Sequence, residues 1–91
     1  MVTKGRRKGT YRFVLQSVDG AKKAELAGTF NEWTPQPMRL NKDGQFIAEV
    51  PMSRGTYEYK FVVDGKWILD PDCSDIAAND VGTFNSVFSV K

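Results

Sequence analysis

The chain has 91 residues, which suffices for one domain with a modest core but leaves no room for a large buried active-site cavity. Its apolar fraction of 41% and charged fraction of 26% are ordinary for a soluble globular protein. No apolar run approaches the roughly 18 residues of a membrane span. The single cysteine, Cys73, excludes an internal disulfide, and the basic N-terminus lacks the apolar segment of a secretory signal, so we expect a cytoplasmic protein.

Basic residues are concentrated near the N-terminus. The net charge is +2, yet residues 1–23 carry +6 and the remainder carries −4. Four of the six positions from Lys4 to Gly9 are cationic, a pattern that nucleic-acid-binding arms also show. Because these cations are flanked by glycines and have no interleaved aromatics, we favour a solvated, flexible basic tail at residues 1–9 and a folded domain at residues 10–91.

The first half of the chain predicts short strands separated by turns. Residues 10–16 alternate apolar and polar side chains, as in a strand with one buried face. The other apolar segments of this half are bounded by Gly, Pro, Asn and Asp, which interrupt strands. We predict strands at residues 10–16, 24–29, 38–40 and 45–50, turns at Asp19-Gly20, 41–44 and 53–55, and a loop with two prolines at 30–37.

Residues 55–67 predict a β-hairpin. Two sets of side chains alternate along its first strand: Tyr57, Tyr59, Phe61 and Val63 against Thr56, Glu58, Lys60 and Val62. Period-two alternation indicates one buried face, so we expect the aromatic set in a core and Lys60 on the opposite side. Asp64-Gly65 fits the positive backbone angles of a type I′ turn. Trp67 is too close to this turn for its face to be assigned by counting.

The last third of the chain predicts a long polar loop and a closing strand. The loop runs from Asp70 to Gly82, and residues 83–90 form the strand, with Phe84, Val87, Phe88 and Val90 as its apolar positions. No segment of useful length has the 3.6-residue period of a helix. The whole chain therefore has about seven short strands at spacings of roughly 8 to 12 residues, which is typical of an all-β sandwich.

The residue types of common catalytic and metal sites are missing. The sequence has no histidine, which excludes Ser-His-Asp and Cys-His nucleophiles, and a single cysteine cannot build a zinc site. Asp70-Pro-Asp72 matches the opening of a calcium loop, but Asp75 stands where Gly is needed and Val81 where Glu is needed. We expect no metal and no cofactor.

Glycoside hydrolysis is the reaction that the carboxylates of this chain could still support, because it needs only two of them. The candidates lie in turns and in a polar loop, with no cleft-forming length of chain around them: Asp64, Asp70, Asp72, Asp75 and Asp80. We therefore predict that the protein is not an enzyme.

The two tryptophans have polar neighbours, unlike core tryptophans of a sandwich. Trp33 follows Asn31 and Glu32 in the proline-bearing loop, and Trp67 follows Gly65 and Lys66. A sugar ring stacks its C–H face on an indole while its hydroxyls need donors and acceptors. Nucleobases also stack on aromatics but need a basic groove, whereas this domain beyond the tail is net acidic. The residues therefore rank a carbohydrate ligand first, a protein partner second and nucleic acid third.

Four segments carry a resemblance to a known family: Leu26–Trp33, Gly55–Trp67, Asp70-Pro71 and Gly82–Asn85. In this order and spacing they resemble the family-48 carbohydrate-binding modules, the glycogen- or starch-binding domains of AMP-activated kinase β subunits, branching and debranching enzymes and plant starch regulators. The resemblance covers residues 10 to 90. It implies an immunoglobulin-like β-sandwich of the early-set type that binds α-1,4-linked glucans without cleaving them.

The resemblance also implies which residues contact the glucan. Trp33 and Trp67 match the two stacking tryptophans, and Lys60 matches the lysine that hydrogen-bonds sugar hydroxyls. Asn85 and Thr83 match polar contacts from the last strand. The carbohydrate-binding residues that we predict are Trp33, Lys60, Trp67, Val81, Thr83 and Asn85. Val81 stands where kinase-subunit members carry a leucine, so a shorter apolar contact is expected there.

The expected partner is an α-glucan polysaccharide or oligosaccharide, with no nucleic acid and no membrane. The alternative is a structural or protein-interaction module that packs against an attached or associated catalytic or kinase domain and has a weak or vestigial sugar site. The sequence does not encode a preference between glycogen and starch, the tolerance of α-1,6 branches or the oligomeric state.

Overall fold

The computed structural model describes residues 1–17 and 20–91 and is built from short strands. The strands are β1 (Val2–Lys4), β2 (Thr10–Gln16), β3 (Ala24–Gly28), β4 (Gln36–Pro37), β5 (Arg39–Leu40), β6 (Gln45–Pro51), β7 (Gly55–Val63), β8 (Lys66–Ile68), β9 (Ile76–Ala78) and β10 (Phe84–Val90). Among the described residues, one turn of 3-10 helix at Thr29–Asn31 is the only helical element. Over the same residues, no helix has the length and apolarity to cross a membrane.

The strands form two antiparallel sheets. The first sheet has the order β1-β2-β6-β5, and the second has the order β4-β3-β7-β10-β9 with β8 paired to β7. In the first sheet the longest strand pairing joins β2 and β6. In the second sheet β7 makes the longest pairings, with β3 and β10. Two sheets with this antiparallel pairing confirm the all-β sandwich that the sequence predicts.

Apolar side chains from both sheets fill the space between them. The buried cluster contains Phe13, Leu15, Ala24, Leu26, Met38, Phe46, Ala48, Val50, Met52, Tyr59, Phe61 and Val90. At its centre Phe13 of the first sheet meets Tyr59 of the second edge to face, with ring centroids 5.0 Å apart. Aromatic pairs prefer this geometry, and burying large side chains of this kind is the main source of stability in a small domain.

The predicted hairpin is confirmed. Asp64 and Gly65 have φ angles of 48° and 86°, as a type I′ turn requires, and Tyr59 and Phe61 are completely buried. Residue Val62 pairs with Trp67 across the turn, which places the indole on the face of β7 opposite the core. Val62 is also buried, although its set was expected on the wet side, because Glu25 and Trp67 flank it on the adjacent strands.

Three short strands lie in segments for which the sequence predicts a tail or a loop. Val2–Lys4, within the predicted tail, pairs with β2; Gln36–Pro37 pairs with β3; and Ile76–Ala78 pairs with β10. All three are edge strands of two or three residues, which are too short for an alternation to show. Pro37 is tolerated because an edge strand need not donate on its outer side. The predicted turn at Asp19-Gly20 includes residue 19, which lies outside the described residues.

A buried carboxylate ties the chain after β8 to the core. Asp70 is 2% exposed and accepts a hydrogen bond from the Tyr59 hydroxyl at 2.7 Å, and its backbone N–H donates to Ser86 Oγ at 2.9 Å. The N–H of Asp72 and the amino group of Met1 also contact this carboxylate. Burial, followed by the Asp70 hydrogen bond, raises the pKa of Tyr59, so the hydroxyl stays protonated and donates.

We expect Tyr59→Phe to lower the free energy of unfolding by about 1–3 kcal/mol, because it leaves a buried carboxylate oxygen short of a donor. Tyr57→Phe is the matched control, since the Tyr57 hydroxyl donates to the exposed Ser53 carbonyl oxygen. Urea denaturation measures both variants. Equal losses in the two variants would contradict the structural role assigned to the Tyr59–Asp70 hydrogen bond.

Candidate functional site

An open groove of about 580 Å³ lies on the outer face of the second sheet. All six residues predicted from the sequence line it: Trp33, Lys60, Trp67, Val81, Thr83 and Asn85. The structure adds five lining residues that were not assigned to a site: Thr29, Glu58, Ala78, Asn79 and Asp80. Elements that are distant along the chain, the 3-10 turn, the β7–β8 hairpin and the β9–β10 loop, thus converge on one surface.

Trp67 is held by the register of the hairpin. β8 pairs with β7 over three residues, and Trp67 lies opposite Val62 with 48% of its surface exposed. Lys60, two residues before Val62, projects from the same face. An apolar ring of this size, half exposed beside a cation, provides a flat surface on which an amphipathic ligand can stack.

Trp33 is presented by a turn with an uncommon backbone. Glu32 and Trp33 have φ angles of 55° and 60°, a left-handed conformation that residues other than glycine rarely adopt. The turn is closed by a hydrogen bond from Trp33 N–H to the Gly28 carbonyl oxygen at 2.9 Å. Strained backbone of this kind persists where surrounding contacts fix it, and it is concentrated at functional sites.

Asn31 supplies most of the contacts that fix this turn. Its Oδ1 accepts from Gly28 N–H at 2.9 Å, and its Nδ2 donates to the Leu26 carbonyl oxygen and to Gln36 Oε1, both at 3.1 Å. One side chain therefore joins β3, the 3-10 turn and β4. Gly28 itself cannot carry a side chain, because a Cβ atom there would lie 2.6 Å from the Glu58 carbonyl oxygen.

Hydrogen-bonded polar side chains form the floor of the groove. Lys60 Nζ donates to Thr83 Oγ1 at 3.3 Å, and Asn79 Nδ2 donates to the same oxygen at 2.6 Å. Asn79 Nδ2 also reaches Asn85 Oδ1 at 3.1 Å, and Asn85 Nδ2 donates to Glu58 Oε1 at 2.9 Å. The predicted polar residues are thus linked to one another through two residues that the sequence analysis did not select.

Val81 projects from the β9–β10 loop beside this floor. Its side chain is 81% exposed, and its backbone N–H donates to Asn79 Oδ1 at 3.1 Å. An apolar side chain held this far out of the surface contributes nothing to the core. It provides an apolar contact next to the polar floor.

Two of the missed residues had a readable signal. Glu58 belongs to the same alternating set as Lys60, so its place on the groove face followed from the hairpin pattern. Asn79 is followed by Asp80 and Gly82, the composition of a turn in which an Asn side chain bonds its own backbone two residues on. Thr29 carries no such signal, because its contact with the Glu58 N–H joins residues 29 positions apart. Ala78 carries none either, because its strand has only three residues.

Two carboxylates considered for hydrolysis have structural partners. Asp64 accepts hydrogen bonds from the backbone N–H groups of Lys22 and Lys23 at 3.1 and 3.0 Å, and Asp70 is buried as described above. Of the five carboxylates considered, Asp80 is the one that lines the groove. Asp80 shares the groove with a carboxylate that was not among the five, Glu58, whose Oε1 accepts a hydrogen bond from Asn85 Nδ2 at 2.9 Å.

The open face of this sandwich carries a half-exposed tryptophan, a second tryptophan on a strained turn and a hydrogen-bonded polar floor. These features are typical of a ligand-binding module. A family model described as the glycogen recognition site of AMP-activated protein kinase matches residues 11–91. The chain belongs to this family and is a carbohydrate-binding module of the AMP-activated kinase β type. This confirms the resemblance found in the sequence, while the roles of the individual residues stay predictions.

The curated relatives include β subunits of 5′-AMP-activated protein kinase. The rat β-1 subunit is 35% identical over 78 residues, and the mouse β-2 subunit is 31% identical over the same length. Each match covers 86% of this chain and 28% of the relative. The chain thus spans about a quarter of the length of these relatives, which are larger proteins that contain a module of this kind.

Solved structures of a maltogenic amylase and a putative α-amylase contain the same fold. A maltogenic amylase from S. marinus matches 90% of this chain and 13% of its own with a TM-score of 0.77 and 23% identity. A putative α-amylase from Salmonella typhimurium matches 96% of this chain and 14% of its own with a TM-score of 0.70 and 28% identity. These likenesses confirm the immunoglobulin-like sandwich.

We expect Asn31→Ala to lower the free energy of unfolding by about 1–2 kcal/mol, because it removes the hydrogen bonds that close the Trp33 turn. It should also shift the indole N–H signal of Trp33 in an NMR spectrum. Asn41→Ala is the control, since Asn41 Oδ1 accepts from Asp43 and Gln45 N–H in a turn of the first sheet. An unchanged Trp33 signal in Asn31→Ala would contradict the role of Asn31.

Proposed function

We propose that this chain binds α-1,4-linked glucans, such as glycogen, starch, maltooligosaccharides and cyclodextrins, and does not cleave them. The observation that carries the proposal is the convergence of Trp33, Trp67 and the Lys60–Thr83–Asn85 set on one groove. Membership of the glycogen recognition family supports a glucan as the ligand.

The chemistry of the groove matches the chemistry of a glucose unit. A pyranose ring has an apolar C–H face, which stacks on an indole, and a rim of hydroxyls, which need hydrogen-bond donors and acceptors. Trp33 and Trp67 supply two stacking surfaces. Lys60 and Thr83 supply donors, and the carboxylates of Glu58 and Asp80 supply acceptors.

In this proposal, the shape of the groove selects the α-1,4 linkage. The two indoles are carried by different elements, a strained turn and a hairpin, and we attribute the selection of a curved α-1,4 chain to the angle between them. A flat β-1,4 chain cannot follow such a turn. Val81, which projects between the groove and solvent, would contact the concave side of the curved glucan.

A shallow, solvent-rimmed groove of this kind gives weak binding. We expect dissociation constants in the micromolar to millimolar range, about −8 to −4 kcal/mol, because the ligand keeps much of its water and loses conformational freedom.

We predict that Trp67→Ala abolishes most binding of maltoheptaose while the fold persists, because the exposed indole lies outside the core. Isothermal titration calorimetry measures the affinity, and circular dichroism checks the fold. Ile68→Ala is the matched control, because the Ile68 side chain is also partly exposed but points to the other face of the strand. We expect this variant to bind maltoheptaose as the wild type does. Undiminished affinity for maltoheptaose in a folded Trp67→Ala variant would contradict the assignment of the binding site to this groove.

The second candidate function is interdomain packing, favoured by the observation that the mouse β-2 and rat β-1 subunits are more than three times longer than the segment matched here. In that case the partner is an attached or associated catalytic or kinase domain, and the sugar site is vestigial. Co-sedimentation with glycogen and amylose separates the two functions. We expect the chain in the pellet with either polysaccharide; a chain that stays in the supernatant with both favours packing.

A further inference from the structure

A chain of side-chain hydrogen bonds crosses the floor of the groove in one direction. Asn79 Nδ2 donates to Asn85 Oδ1 at 3.1 Å, and Asn85 Nδ2 donates to Glu58 Oε1 at 2.9 Å. Asn85 is 6% exposed, so both of its polar groups find these partners in a nearly buried position. A buried amide whose partners were mismatched would lose more than the hydrogen bonds themselves.

The two ends of this chain fix its direction. At one end, the Glu58 carboxylate offers acceptor oxygens, and one of them accepts from Asn85 Nδ2. At the other end, Asn79 Oδ1 accepts from the backbone N–H groups of Val81 and Thr83 at 3.1 and 3.0 Å, and backbone N–H groups can only donate. Asn79 must therefore direct its NH₂ group inward, and Asn85 must direct its oxygen toward Asn79.

The direction of the chain also determines what Thr83 can do. Its Oγ1 accepts from Asn79 Nδ2 at 2.6 Å and from Lys60 Nζ at 3.3 Å. With both acceptor positions of the hydroxyl used, its own hydrogen remains available to donate to an oxygen in the groove. If the hydrogen-bond chain ran in the opposite direction, the Thr83 hydroxyl hydrogen would be needed for a bond to residue 79.

We propose that Glu58 and Asn79 are positioning residues of the glucan site, which fix the direction of the hydrogen-bond chain and so the donors that Asn85 and Thr83 present to a sugar. This inference rests on the proposed glucan binding and deepens it. Neither residue was selected by the sequence or by the resemblance, and their role acts through Asn85 and Thr83.

Three variants of the 91-residue chain test this inference: Asn79→Asp, Glu58→Gln and the double variant. In Asn79→Asp a carboxylate faces Asn85 Oδ1, and turning the Asn85 amide over would only set its oxygen against Glu58. We expect a lowered melting temperature and about tenfold weaker binding of maltoheptaose, as the loss of one or two hydrogen bonds implies.

The double variant allows the hydrogen-bond chain to run in the opposite direction, and the protein keeps the net charge of the wild type. Asn85 can then donate to the carboxylate at position 79 and accept from the amide at position 58. We expect the melting temperature to return to within a few degrees of the wild type. Affinity should stay about tenfold weaker, because the Asn85 amide is reversed and the Thr83 hydrogen is used within the protein.

The pair of readouts separates a positioning role from a merely structural one. If stability and affinity recover together in the double variant, the direction of the chain does not matter to the ligand and the inference is overturned. Unchanged affinity in Asn79→Asp would overturn it as well. If Asn79→Asp does not fold, the comparison of the double variant with the wild type decides alone.

Two controls isolate the inference from the proposed function. Asp43→Asn removes a carboxylate in a turn of the first sheet, away from the groove, and should bind as the wild type does. Failure of the wild type to bind maltoheptaose would contradict the proposed function itself. Wild-type binding with no effect of the groove variants would leave that function standing and reject only the inference.

Discussion

Strand β7 has two faces, and the core and the groove are built on opposite sides of it. Tyr59 and Phe61 point inward and are completely buried, while Glu58 and Lys60 line the groove. β7 is hydrogen-bonded to β3, β8 and β10. A shift of one residue in its register would exchange the two faces and remove both the core aromatics and the polar floor.

Most of the groove is therefore held in place by the strand pairing of the sheet beneath it. Trp67 is fixed by three residue pairs with β7, and Asn85 lies on the strand that pairs with β7 from the other side. The buried Asp70 holds the chain between these two strands by accepting from Tyr59, and its N–H donates to Ser86. Trp33 is the exception, since a turn with left-handed backbone presents it, and Asn31 fixes that turn. Rigid elements place side chains more accurately than free loops, which reduces the ordering cost of binding.

Local patterns sufficed to predict the parts of the molecule that depend on neighbouring residues. The hairpin, its type I′ turn and its buried face follow from alternation and from Asp64-Gly65, and the structure confirms them. The edge strands β1, β4 and β9 did not follow, because two or three residues are too few for an alternation to show.

The site shows the same division. Period-two counting places Lys60 on the open face, but it could not bring Trp33, Trp67 and Asn85 together, and the family resemblance supplied that step. Glu58 and Asn79 remained unassigned because the resemblance gives them no contact, and their hydrogen bonds to Asn85 become visible only in the folded structure. A charged residue such as Glu58 on the open face of a strand is ordinarily solvated. Only the structure shows that Glu58 contacts Asn85.

The most direct test of glucan binding in this groove is an NMR titration of ¹⁵N-labelled protein with maltoheptaose. We expect the indole N–H signals of both Trp33 and Trp67 to shift, together with backbone signals of the β9–β10 loop, while those of the first sheet stay in place. Cellohexaose, with its flat β-1,4 chain, should leave all of these signals unmoved. Shifts confined to the first sheet, or equal responses to the two oligosaccharides, would contradict a groove on the second sheet that selects curved glucans.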